Sequence, residues 1–449
     1  MRFRVAALCA LVVSLLLIPA HTDAQGIDWN AVERDALETL QRYVRIDTSV
    51  PPGSVAKAAD FLQGLLEREG IPVTRYEPGQ GRSILLARLK KTGTGTAKPL
   101  MLLHHMDVVP ADRSRWKRDP FGAEIAEGKL WGRGAFDMKG PGVAHLYAFI
   151  LLKRQKVPLD RDVILMAVPD EEIGGELGAR WMQNRHLADF DPEFVLDEGG
   201  FGSRDLFVNG KLVFGISVAE KKILWLKVTA EGVAGHGSQP HDRNPNDRLV
   251  RALARLLGEP MPASTFSVVD TFTSRVGTLN DNKFNNAIQR STISLTSLRS
   301  GVGDPPKVNV IPSIAEATLD CRVLPGTSKD AWLKEIARRL GDPALKIDVV
   351  YESADPVVTP QDSAFYRGLE SAVKAKYPDA IVAPMIVPYG TDSNNFRPLG
   401  VKSYGFTPVI VPGEAVASMH GDAEFIPVDA LRPAIEVLFD AIRRTVSAK

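Results

Sequence analysis

The sequence predicts an α/β protein in two parts. A split larger domain has a mixed, largely parallel sheet with helices on both faces, and a smaller ferredoxin-like α+β domain is inserted into it. Three observations predict this. Up to about residue 215, short continuous apolar runs alternate with helical periodicity, as in strands buried on both faces. Beyond it, partly alternating strands and amphipathic helices follow the order β-α-β-β-α-β. After Pro356 the first texture returns. A length of 449 residues allows two or three domains at ~150 residues each. The boundaries read from these shifts are 1–24 for a leader, 25–219 and 355–449 for the halves of the larger domain, and 220–354 for the insertion.

In chain order, Val32, Leu37, Leu40 and Val44 predict a helix from 29 to about 43, and Ala59, Leu62 and Leu66 a second over roughly 55–69. The runs 84–87 and 100–103 are short enough to be buried strands. A helix follows over 142–153, a buried strand over 163–168, a helix near 179–187 and a strand over 194–196. In the insertion, 223–230 reads as a half-exposed strand. The segment 246–257 carries Leu249, Val250, Leu253, Leu256 and Leu257 on one helical stripe. Strands are expected over 291–298, 314–323 and 345–351, with a helix over 329–340, and a last helix covers 429–446. No internal repeat is visible.

Composition narrows the function. Hydrophobic residues at 44% and charged residues at 24% exclude wholesale disorder, and a net charge of +1 offers no footprint for nucleic acid. The basic start Met1-Arg-Phe-Arg4, the apolar run 5–18 and the small-residue stretch Thr22-Asp23-Ala24 read as a secretory leader cut after Ala24. The run is short for a span of ~20 residues. A periplasmic or secreted protein is therefore expected, with no stable membrane anchor after cleavage. Cys9 leaves with the leader, so Cys321 stands alone, no intrachain disulfide can form, and stability rests on core burial. Cys321 ends an alternating run and reads as a buried strand residue, not a nucleophile.

Clustered acids and histidines follow apolar strands at four places: His104-His105-Met106-Asp107, Asp170-Glu171-Glu172, Asp197-Glu198 and His420. Asp137 adds a fifth acid in the glycine-rich loop Gly132-Arg-Gly-Ala-Phe-Asp137-Met-Lys-Gly140. In open α/β sheets ligands bind beyond the carboxyl ends of strands. Singly, each residue has a plain structural explanation: a hydrogen-bonded histidine, a helix cap, a solvated turn. Jointly they do not, because carboxylates gathered at one sheet edge repel unless a cation neutralises them. Two histidines and three carboxylates suit a pair of zinc ions.

These stretches, together with Gly235-His-Gly-Ser238, Asn309-Val-Ile-Pro312 and Arg322-Val-Leu-Pro-Gly326, make the chain resemble the M20 family of zinc metallopeptidases and aminoacylases over nearly its whole mature length. The wording of the inserted region is similar to the branch holding carboxypeptidase S and N-acyl-amino-acid hydrolases. The resemblance implies that His105 and Glu198 bind one zinc, Glu172 and His420 the other, and Asp137 bridges them, cobalt and manganese being the other metals such a set accepts. It further implies that Asp107 hydrogen-bonds the His105 imidazole and that Glu171 is the general base. His236 would stabilise an oxyanion in the site of a partner subunit, through a homodimer formed by the inserted domain. Arg322 and Asn309 would hold a substrate carboxylate, the arginine by its bidentate fork. Gly390 and Thr391 resemble a substrate-side loop, and Tyr389 stands where many members of the family have glycine.

The expected activity is hydrolysis of an amide or peptide bond next to a free carboxylate, through water activated between two zinc ions. The substrate would be an N-acyl amino acid, a dipeptide or the C-terminal residue of a short peptide. Two rival readings are an M28-like zinc aminopeptidase, which lacks the inserted domain, and a catalytically inactive periplasmic binding protein, which would lack the base or a ligand.

Overall fold

The computed structural model describes residues 26–51 and 53–447. The leader expected over 1–24, with Cys9, lies outside them. The larger domain is organised on a nine-stranded sheet. Its path runs Val73–Gly79, Arg82–Leu89, Val163–Val168, Leu100–His105, Phe194–Asp197, Lys402–Gly405, Val213–Glu220 and Ile381–Val387, with Gly202–Ser203 paired off it. Pairings at the centre are parallel and those at the first two strands antiparallel, so the sheet is mixed.

The apolar runs are continuous because each strand feeds two cores. Leu100 and Leu102 pack with helices Trp29–Val44 and Lys139–Arg154 on one face. Met101 and Leu103 pack with Met182 and Phe190 on the other. Alternate residues of a strand point to opposite faces, so burial on both sides demands an apolar residue at every position. The strand Val213–Glu220 escapes the sequence pattern through Gly215, where a Cβ would meet Sδ of Met385 at 2.0 Å. The space taken by the buried Met385 side chain, not β-propensity, accounts for that residue.

The smaller domain has an antiparallel four-stranded sheet in the order Thr292–Ser300, Ile314–Val323, Lys222–Glu231, Lys346–Glu352. Helices Pro245–Leu257 and Lys329–Leu340 cover one face, capped by the side chains of Asn244 and Ser328. Leu224, Leu226, Val228, Leu319 and Trp332 form that core with Cys321, whose thiol burial pushes up to about 12 and so keeps protonated. The two central strands largely alternate buried with more exposed residues, the pattern of a sheet covered on one side. One segment behaves otherwise. Helix Ser267–Val276, inside 220–354, packs its Val268, Val269, Phe272 and Val276 into the core of the larger domain, so the chain returns there midway through the insertion. Among the described residues no helix is long and apolar enough to cross a membrane.

Candidate metal centre

Strands Val163–Val168, Leu100–His105 and Phe194–Asp197 are parallel neighbours and end at one sheet edge. Topology alone therefore brings His105, Glu171, Glu172 and Glu198 together. Asp137 enters from the loop preceding helix Lys139–Arg154, and His420 from the turn after helix Gly413–Ser418. Asp137 stands between the histidines. Its Oδ1 is 3.2 Å from His105 Nε2 and its Oδ2 is 3.2 Å from His420 Nε2. Glu198 Oε1 lies 3.7 Å from His105 Nε2, and Glu172 Oε2 lies 3.0 Å from His420 Nε2. Two ligand groups result, His105–Asp137–Glu198 and Asp137–Glu172–His420, sharing one carboxylate.

The spacing fits zinc. Bonds of about 2.0–2.2 Å in tetrahedral geometry place ligand atoms about 3.3 Å apart, and the separations found are 3.0 to 3.7 Å. Glu172 Oε1 is buried with no hydrogen-bond partner among the described residues, an oxygen left over for such an ion. The electrostatics point the same way. Burial opposes the charge of Asp137, yet its bonds to His105 and His420 hold it well below the usual carboxylate range. Burial, then the Asp137 charge, raises Glu198 well above that range. His420 resists burial and rises to about 11 because Asp137 and Glu172 face it. The protein's own groups thus leave an anionic excess that a cation completes.

Asp107 does a different job from the one expected. His105 Nδ1 lies 2.9 Å from the Asp107 main-chain oxygen, while the nearer carboxylate oxygen is 3.7 Å away, beyond hydrogen-bond reach. That carboxylate instead accepts the backbone N–H groups of Glu171 and Glu172 at 3.3 and 3.2 Å. Asp107 thereby aims both glutamates, and its carbonyl orients the imidazole. Glu171 itself borders the cleft. Burial raises its carboxyl well above the ordinary range; His105 opposes this, and Glu172 and Asp392 add to it.

Sequence reasoning missed Glu424. This fully buried carboxylate accepts the N–H groups of Gly134, Phe136 and Asp137, each at 3.0 Å, and pairs with Arg133 at 2.8 Å. It holds the whole Asp137 loop. No spacing rule could reveal it, because its partners are backbone amides 287 to 290 residues earlier.

The inserted domain forms the opposite wall. Arg322, Ile223, Trp225 and Tyr351, on the uncovered face of its sheet, line a cleft with Glu171, Glu172 and His420. Asp320 engages Arg322 Nε and Nη2 at 2.8 and 3.1 Å, leaving Nη1 without a protein partner among the described residues. Gly390 and Thr391 also line this cleft. A Cβ at Gly390 would meet Ile223 Cδ1 at 2.6 Å, so loop and inserted domain touch there. The Thr391 N–H donates to Glu220, which Arg397 pairs from below at 2.6 Å. His236 and Asn309 are not brought to the site. Both are exposed, His236 in the two-stranded antiparallel ribbon Gly235–His236/Val310–Ile311 and Asn309 just before its second strand, with His236 Nδ1 2.7 Å from Ser238 Oγ.

A sheet edge carrying two ligand groups around a shared aspartate, closed by a second domain, defines a metal-dependent hydrolase of peptide and amide bonds. Residues 101–444 match peptidase family M20/M25/M40, and the chain belongs to that family. It is 28% identical over 386 residues to a mouse (Mus musculus) N-fatty-acyl-amino acid synthase/hydrolase, covering 78% of this chain and 75% of the relative. It is 27% identical over 389 residues to mouse aminoacylase-1, covering 84% and 88%. In fold it is similar to an M20 family metallo-carboxypeptidase from Sulfolobus solfataricus, with a TM-score of 0.71 at 20% identity, covering 91% and 98% of the two chains. Human carnosine dipeptidase 1 superposes with a TM-score of 0.69 at 18% identity, covering 93% and 97%.

Proposed function

We propose that the protein is an exported dizinc hydrolase of N-acyl amino acids or short peptides, cleaving the amide bond next to a free carboxylate. One observation carries this reading: Asp137 offers one oxygen to each histidine beneath a cleft whose far wall holds Arg322. His105, Asp137 and Glu198 would hold one zinc, and Asp137, Glu172 and His420 the other. The metal pair supplies carbonyl polarisation and the acidified water that hydrolysis at neutral pH needs. Glu171 takes the proton of the attacking water as its oxygen bonds to the acyl carbon, then delivers it to the leaving nitrogen as the C–N bond breaks. Arg322 fixes the carboxylate of the departing amino acid. His236 and Asn309, exposed away from their own cleft, serve the site of a second copy docked through the inserted domain. The leader directs the chain out of the cytoplasm and is removed near Ala24.

The test uses the mature protein loaded with zinc. Hydrolysis of N-acyl amino acids or dipeptides, abolished by EDTA and by esterifying the substrate carboxylate, is expected; equal rates on carboxyl-blocked substrates would refute the reading. Glu171→Gln should keep both metals while kcat falls by about 10²–10⁴. Mixing Glu171→Gln subunits with His236→Ala subunits should restore part of the activity, since one site of each mixed dimer is complete.

A further inference from the structure

The space around the metal residues is divided, and Tyr389 is the divider. Three cavities meet there. The first, about 140 Å³, lies under the inserted domain and contains Arg322, Trp225 and Tyr351 but neither Asp137 nor Glu198. The second, about 270 Å³, spans the metal face from Arg322 to Asp137 and Glu198. The third is a slot behind Asp137 and Glu198, walled by Phe136, Pro141, Phe201 and Met419. Among the described residues Tyr389 is the one that lines all three.

We infer that Tyr389 determines which acyl groups the enzyme accepts, by closing the apolar slot and confining the substrate to a short acyl chain. The inference rests on the proposed reading that Arg322 holds the carboxylate. With the carboxylate there and the carbonyl over Asp137, the acyl group is directed away from Arg322, toward the slot, because Asp137 and Glu198 border the slot and Arg322 does not.

The slot now holds about 20 Å³, room for a water and not for an alkyl chain. Phe136, Phe201 and Gly200 are firmly packed walls of it. Phe201 stacks on Phe207 at 5.7 Å and meets Phe136 edge-on at 6.2 Å. At Gly200 even a Cβ would lie 2.3 Å from the Gly215 carbonyl, so that backbone is packed against backbone. Tyr389 is only partly buried, and among the described residues its hydroxyl makes a single long hydrogen bond, 3.3 Å, to the Gly199 carbonyl. It is the wall that the slot shares with both other cavities.

The experiment compares kcat/KM for N-acetyl-, N-butanoyl-, N-octanoyl- and N-dodecanoyl-leucine in the zinc-loaded protein. The wild type should prefer acetyl over octanoyl by at least tenfold, the scale on which a filled apolar pocket discriminates. Tyr389→Gly should shift the octanoyl/acetyl ratio by at least tenfold toward octanoyl, and Tyr389→Phe, which keeps the ring, should retain the wild-type ratio. The ratio is internal to each preparation, so partial loss of fold or metal cancels. The wild-type series stands even if Tyr389→Gly does not fold: hydrolysis equally fast at every chain length overturns the inference alone. An unchanged ratio in a folded Tyr389→Gly also overturns it. No hydrolysis of any member, or of dipeptides, overturns the underlying reading of the substrate and, with it, the role of Tyr389.

Discussion

The two histidines of the metal centre occupy opposite surroundings. His105 ends a strand buried at every position, is 1% exposed, and has its second ring nitrogen held by the Asp107 carbonyl. His420 is 53% exposed and follows a six-residue helix, with a backbone φ of +60° that non-glycine residues rarely adopt. Its Nδ1 has no protein partner among the described residues. One half of the site is therefore built into the sheet before any ion arrives, and the other takes its histidine from a surface turn. A ligand that is already oriented loses little freedom on binding, so the His105 half should bind metal more tightly and exchange it more slowly.

Four measurements bear on this contrast, from the largest effect down. Asp137→Ala removes the ligand common to both halves, so both metals should be lost and activity should fall beyond the ~10⁴-fold that a missing general base can cost. Retention of one full metal equivalent would show that the halves are independent. Glu424→Gln leaves every ligand in place but loosens the Asp137 loop, and metal affinity should weaken by about 10–100-fold at both halves. Weakening at one half only would mean that the loop serves that half alone. Graded chelation of the wild type should release one metal before the other, with His420→Ala keeping one equivalent and His105→Ala losing more metal and more thermal stability. Simultaneous release would erase the difference between the halves.

The smallest effect is on pH dependence in the metal-free protein. His420 rises to about 11, from an ordinary 6.5, because Asp137 and Glu172 face it. A histidine raised in the folded state contributes stability below about 6.5 and loses it as pH rises through about 11. Metal-free wild type should therefore lose a little stability across that window, and His420→Ala should flatten the loss. Solvent exposure keeps the effect small. Zinc binding near neutral pH must displace this proton, which calorimetry in buffers of different ionisation enthalpy would detect as proton release.

Much of this centre was legible because its ligands directly follow continuous apolar runs, and strand ends are where α/β sheets collect polar groups. His105 ends, and Glu172 and Glu198 follow, strands that prove to be parallel neighbours. The inserted sheet was legible too, through its order and its one-sided alternation. Other features were not. The Asp107 carboxylate was expected on an imidazole and sits on two amides, because which atom of a residue reaches a partner depends on sub-ångström backbone placement. Helix Ser267–Val276 has the amphipathicity of any surface helix, and nothing in that pattern says which of two cores it joins.

Periodicity and residue chemistry, which are local properties of a chain, determined the strands, the helices and the set of groups able to hold cations. Which groups meet, which carboxylate steadies the Asp137 loop, and how one tyrosine partitions the cleft were decided by tertiary packing alone. Those contacts join residues tens to hundreds of positions apart, often through backbone amides or bare shape, and neither leaves a mark on the order of side chains.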